Sequence, residues 1–241
     1  MSILTELGIN VVIALAVAVT PVVVRLVRTF RARRFWRPFS DADRVRVVVG
    51  KNEDLPDWER SGLVGAGDVE ALGELQKVWF ENHLGHLKTV FTKGQDGDVI
   101  SENLILLGGP DANWATLLVA ESVGGSLKFG DPTRNVITIT DAGAGKTYSP
   151  GERNGQQIDY GVLKLTSNPY SPERSLLIVA GAFGHGTWGG IKLMRTKSFL
   201  THPIVTSGQH FECLFRVEVV GDKPVNPEIE EIYPLPPSPR I

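Results

Sequence analysis

A single cysteine, Cys213, occurs in the 241 residues, so no disulfide can form within the chain. A fold of this length must then hold by burial alone, as in reducing compartments or in bacterial proteins without staples. Cys213 sits inside the run FECLFRVEV with no basic helix end beside it, and reads as a small buried apolar residue rather than a reactive thiol. Metal-ligand patterns are equally scarce. His83 and His86 stand three apart, His185, His202 and His210 are scattered, and there is no H-E-x-x-H and no cysteine pair. No metal is therefore expected. The G-x-S-x-G elbow of many hydrolases is missing, as is any internal repeat. Net charge is only -2, and eight arginines crowd the first 46 residues, leaving the remainder acidic. An acidic body argues against a phosphate-backbone footprint, so no nucleic-acid partner is expected.

What the chain does have is one long uncharged run. Residues 7–24, LGINVVIALAVAVTPVVV, carry no charge and reach the length that crosses a hydrocarbon core of about 30 Å at 1.5 Å per residue. RLVRTFRARRFWR follows at once, a stop-transfer and positive-inside signal. The expectation is a single-pass anchor through 7–24 with the body in the cytoplasm, Phe35 and Trp36 at headgroup level, and homo-oligomers formed through the N-terminal helix. A signal peptide would carry its basic residues before the apolar run. A buried soluble helix is the other alternative.

Beyond the anchor the pattern alternates. Arg44–Gly50, Leu87–Thr92, Asn103–Gly109 and Leu176–Ala180 read as strands, and segments from near Asp68, from Pro110 and from Thr187 read as helices. Asp68 is expected to cap the first of these, and Asp111 or Asn113 the second. Short β pieces are expected at 126–129 and 136–140, then a polar loop from Asp141 to Gln157, then a strand over 159–166. Two more strands are read over 210–222 and 225–235, the latter at an edge. The expected fold is α/β: a Rossmann-like parallel core with an antiparallel β extension, preceded by one transmembrane helix. The division is 1–30 anchor, 31–43 basic juxtamembrane connector, 44–223 α/β domain and 224–241 Pro-rich C-terminal tail.

Three apolar strands end in glycine, at Gly50, Gly108-Gly109 and Gly181. Ligands of open α/β sheets collect beyond such carboxyl ends. Gly108, Gly109, Pro110 and Asn113 are the first candidate ligand-binding set. Gly181, Gly184, Gly186 and Thr187 are the second, where backbone N–H groups at a helix start offer a place for an anion. NLILLGGP followed by Asn113 resembles the G-G-P-x-x-N element in the C-terminal part of some archaeal S-layer proteins. With a later G-x-G-T at Gly184–Thr187 it is also similar to prokaryotic Rossmann-like proteins; the resemblance implies a Rossmann-like unit and carries no activity. GAGKT at 143–147 lacks the leading glycine of a P-loop and is followed by TYSPGERNG, which forms no helix. The leading expectation is a membrane-anchored cytoplasmic module, sensor or effector, that binds a nucleotide or another phosphorylated small molecule. The residues specify no cofactor. One alternative is a membrane-tethered hydrolase of a nucleotide or glycosidic bond using His185, Asp159 and Asn113, with Asp68 a further candidate base. The other is an assembly subunit whose glycines serve only turns.

Overall fold

Val47, Val48 and Val49 in a row leave neither side of their strand for water, which is the mark of a parallel strand covered on both faces. In the computed structural model, which describes residues 17, 19–20, 23–24, 26–40, 45–51, 63–92, 97–130 and 137–236, this stretch is β1 (Val45–Gly50). It lies between β2 (Lys88–Thr92) and β3 (Asn103–Leu107), parallel to both, and β3 pairs in parallel with β9 (Ser171–Gly181). The sheet continues antiparallel through β8 (Gln156–Asn168), β10 (Phe211–Val220) and β11 (Lys223–Pro234). Strand order is β11-β10-β8-β9-β3-β1-β2, with β7 (Gly151–Arg153) beside β8. A second, antiparallel sheet holds β4 (Leu127–Phe129), β5 (Ile139–Asp141) and β6 (Lys146–Tyr148). The fold is mixed α/β with a parallel-containing sheet, consistent with a Rossmann-like arrangement.

Alternation assigns the faces. Val47, Val49, Ile105, Leu107, Leu177 and Val179 join one core with α2 (Ala66–Glu81) and α5 (Gly184–Leu193). Val48, Leu104, Leu106, Leu176 and Ile178 join the other with α4 (Trp114–Ala120). Over the antiparallel half, Leu127 and Ile139 of the small sheet pack on Tyr160, Val162 and Leu214.

The structure departs from the sequence reading in several places. A helix, α1, runs through residues 26–36 and passes into a 3₁₀ turn (Arg37–Phe39). Phe35 and Trp36 are not at its surface. They are buried with Phe39, and Trp36 meets Trp79 edge-on at 5.4 Å between ring centroids. Burying two large aromatic rings outweighs an interfacial position for them, so Phe35 and Trp36 fasten the end of this helix to the core while Arg33 and Arg34 stay exposed. Most of the apolar run 7–24 lies outside the described residues, and among those described no helix is long and apolar enough to cross a membrane. The edge strand read over 225–235 is present as β11 (Lys223–Pro234), so most of the segment that the division set apart as a tail belongs to the sheet.

The expected loop from Asp141 to Gln157 is two hairpins. Asn154 and Gly155 both adopt positive φ (53° and 76°), the type I′ turn that pairs Arg153 with Gln156. Gly143–Thr147 forms the β5–β6 hairpin and leads into a strand, as its P-loop mismatch required. β9 begins at Ser171 rather than Leu176. Its first residues pair only with β8, so Pro172 can enter the strand without breaking a ladder on the β3 side.

Candidate functional site

The parallel strands β1, β3 and β9 are neighbours in register, so their glycine ends meet at one end of the sheet. The Gly108 N–H donates to Val179 O at 3.0 Å, and Gly108 has φ +101°, a conformation that favours glycine. The 108–113 turn then folds over β1: a Cβ on Gly50 would lie 1.8 Å from the Ala112 carbonyl oxygen. Asn113 fastens this turn. It is fully buried, its Nδ2 donates to Val48 O (2.9 Å) and Leu107 O (2.8 Å), and its Oδ1 accepts from Ala115 N, capping α4. Both amide hydrogens of Asn113 are therefore spent on backbone.

The second glycine turn holds an anion of its own. The Asp159 carboxylate, reaching from β8, accepts from the N–H groups of Gly186 (2.6 Å), Phe183 (3.2 Å) and Tyr160 (2.8 Å). It occupies the position at the start of α5 where an external anion was expected. Burial pushes its carboxyl up to about 7, against the pull of those three N–H donors. The glycines themselves answer to packing. A Cβ on Gly186 would come 2.4 Å from Tyr160 O, one on Gly181 2.1 Å from Phe183 O, and Gly184 lies against Gly67 of α2. His185 is half-buried on the same turn. Asn113 and Asp159 serve separate backbone clusters, and neither bonds His185.

Asp68 is placed differently from its expected capping role. The helix starts two residues earlier, with Gly65 extended at the cap, and the N–H groups of Asp68 and Val69 both return to Gly65 O. Asp68 thus stands third in the helix and turns inward, 5% exposed. One carboxylate oxygen lies so close to the Gly65 and Gly108 backbones that a Cβ on either would approach it to 3.2 Å. Burial raises its pKa to about 6; a hydrogen bond from the Thr187 hydroxyl lowers it, and the charge of Asp111 raises it. Thr187 Oγ1 in turn accepts from Gly181 N at 3.1 Å, so this residue joins β9, α5 and α2. Oδ1 of Asp68 is buried and has no hydrogen-bond partner among the described residues. A buried acceptor left unpaired costs free energy unless something fills it. The sequence marked Asp68 as a carboxylate beside a turn; the vacancy at Oδ1 depends on the meeting of three elements.

Cavities also open away from Asp68. About 890 Å³ opens between α1 and the α5 end of the body, and about 290 Å³ beneath α4, lined by Leu117, Phe129 and Lys164. No group of three or more His, Cys, Asp or Glu among the described residues is arranged to hold a metal ion.

A pH dependence follows from the two buried carboxyls. Asp68 and Asp159 hold their protons more tightly in the folded state than in the unfolded chain, so the stability they contribute is fully present only below the unfolded value of 3.8 and is lost as pH rises through about 6 and 7. His210, lowered by burial, works in the opposite sense below pH 6.5. In a His210→Gln background, the urea midpoint is expected to fall from pH 4.5 to pH 8 (on the order of the shifts involved), and Asp68→Asn should flatten part of that slope. A midpoint that rises over this range would exclude it.

No protein-family model and no curated protein sequence matches this chain.

Proposed function

We propose that the protein is a membrane-tethered recognition module, a Rossmann-like unit that binds a nucleotide or another phosphorylated small molecule beyond the ends of β1, β3 and β9, on the cytoplasmic side. The observation that carries this is Asp68, a buried carboxylate near the start of a sixteen-residue helix whose Oδ1 has no hydrogen-bond partner among the described residues. Strand order supports the location: β1 connects outward to β2 while β3 lies on its other side, the reversal at which open α/β sheets take ligands. In this reading a ligand hydroxyl, such as that of a ribose, donates to Asp68 Oδ1. The first N–H groups of α2, at Ala66 and Gly67, stand outside the helix ladder and face a phosphate. The 7–24 run tethers the unit, and α1 passes directly into the core through Phe35 and Trp36.

The test is thermal unfolding of the full chain in neutral detergent with a panel of nucleotides and sugar phosphates. A ligand at a hundredfold its Kd stabilises by about 2.7 kcal/mol, a shift of several degrees. Asp68→Asn is expected to weaken that ligand about tenfold or more, the scale of a lost hydrogen bond to a charge. A panel that shifts nothing sinks the reading. It would favour the assembly subunit, for which the packing roles of Gly67, Gly181 and Gly186 also speak.

A further inference from the structure

A cavity of about 890 Å³ lies away from the strand ends. It runs beneath α1, and its walls change character along the helix. Val23, Val24 and Val27 line one end with Leu200 and Pro227 of the body. Arg28 and Arg31 follow, four residues after Val24 and Val27 respectively, the spacing that puts each pair on one helix face. Lys197 approaches from α6 (Lys197–Leu200). Val24 to Arg31 spans about 10 Å at 1.5 Å per residue. An apolar stretch of that length ending in clustered cations is the outline of an amphiphile with an anionic head.

The other charges of the groove are already committed. Arg195 pairs with Glu74 and with Glu81, and Lys192 donates to Pro224 O at 2.7 Å while lying over the Trp188 ring. Arg28, Arg31 and Lys197 have no counter-ion among the described residues, and Glu74, the acid that lines the groove, is held by Arg195. The groove therefore carries uncompensated positive charge beside an apolar wall. Val17, Val19, Val23, Val24 and Phe30 are exposed.

We propose that this groove is a binding site for one anionic phospholipid of the membrane in which the chain is tethered. The acyl chains lie along Val23, Val24 and Val27, and the phosphate sits among Arg28, Arg31 and Lys197. About 890 Å³ is at the upper end of the range for single-ligand sites. Each juxtamembrane cation near an anionic headgroup contributes on the order of 1 kcal/mol, and buried methylenes add to that. A second copy of the chain is the poorer occupant, because a symmetric contact through this face would bring the same three cations together. A free nucleotide would leave the valine wall facing water.

The proposal rests on the membrane tether but not on the Asp68 site. The full chain is purified in dodecyl maltoside and titrated with dioleoyl phosphatidylglycerol or dioleoyl phosphatidylcholine, with lipid-bound protein read by native mass spectrometry. One phosphatidylglycerol per chain is expected, held about tenfold or more tightly than phosphatidylcholine. Arg28→Glu/Arg31→Glu/Lys197→Glu should abolish that preference, whereas Lys146→Glu, an exposed cation of β6, should keep it. Equal retention of the two lipids, an undiminished adduct in the triple variant, or a dimer in place of the lipid adduct would each overturn the proposal. Alkaline extraction of membranes reads the tether separately, so a chain that stays in the pellet yet shows no lipid preference rejects the site and spares the tether.

Discussion

Lys164→Met is expected to destabilise the protein by about 3–5 kcal/mol, the cost of removing one partner from a buried ion pair. Lys164 on β8 and Glu212 on β10 stand directly opposite in the antiparallel ladder, 2.9 Å apart, with side chains 8% and 2% exposed. Neither is idle. Lys164 also donates to Gly124 O and Leu127 O, and Glu212 accepts from Ser126 N, Ser126 Oγ and Leu127 N. Together they bind the 124–127 segment, and through β4 the small sheet, to the main sheet. Gly125 lies against this pair so closely that a Cβ there would meet Glu212 Oε2 at 2.2 Å. Burial lowers the pKa of Lys164 and the Glu212 charge partly restores it. Without the ammonium, Glu212 is a buried charge with only neutral donors. Lys164→Met/Glu212→Gln removes that charge, keeps an acceptor for Ser126, and is expected to recover part of the loss. Urea midpoints of the full chain in neutral detergent report all of this. A single-variant loss under about 1 kcal/mol, the range of exposed pairs, would show that the pair is not buried as described.

The second large effect contrasts glycines of one helix. Gly67→Ala is expected to destabilise by about 1–3 kcal/mol or more, the range for overpacking a tight contact, because its Cβ would lie 2.3 Å from the Gly184 carbonyl carbon. Backbone on both helices must separate to admit it. Gly73→Ala, six residues further along α2, is expected to stabilise by about 1 kcal/mol, since a mid-helix glycine there has nothing within 4 Å of a new methyl and alanine is the better helix former. Gly184→Ala should fall between them, its Cβ meeting Gly67 Cα at 3.0 Å. The same urea titration, applied to three one-methyl changes, reads the closeness of α2 to α5. Equal effects at Gly67 and Gly73 would contradict that packing.

Much of the parallel half was legible from local pattern. The triple valine of β1, the NLILL of β3 and the LLIVA of β9 are each buried on both faces, and a strand of that kind writes its burial as an unbroken apolar run. A cap for α4 at Asp111 or Asn113 was also legible, since capping needs only residues two positions apart; the structure chose Asn113. The hairpins between Asp141 and Gln157 were less so. Asn154-Gly155 is a strong hairpin signal, but the strands it joins are polar and exposed, without the alternation that would announce them.

The glycine turns show where sequence reasoning stops. Strand, glycines and helix at 176–190 read as a place for a ligand anion; that the Asp159 carboxylate, from a strand more than twenty residues earlier, accepts from the N–H groups of this turn follows only from the pairing of β8 with β9. Phe35 and Trp36 beside an arginine cluster look interfacial until Trp79, Phe199 and Phe211 close around them. Glu212, within an alternating strand, has the pattern of a solvent-facing residue until the small sheet covers that face. By itself the sequence determined what depends on neighbours along the chain: most strand and helix types, the two candidates for the α4 cap, the glycine ends of β1, β3 and β9, and the uncharged length of 7–24. The tertiary structure decided which buried polar groups are satisfied and by whom. Asn113 reaches the Val48 carbonyl and Asp159 the Gly186 N–H, whereas Asp68 Oδ1 has no partner among the described residues, because a hydrogen bond across elements depends on ångström distances between segments that the sequence keeps far apart.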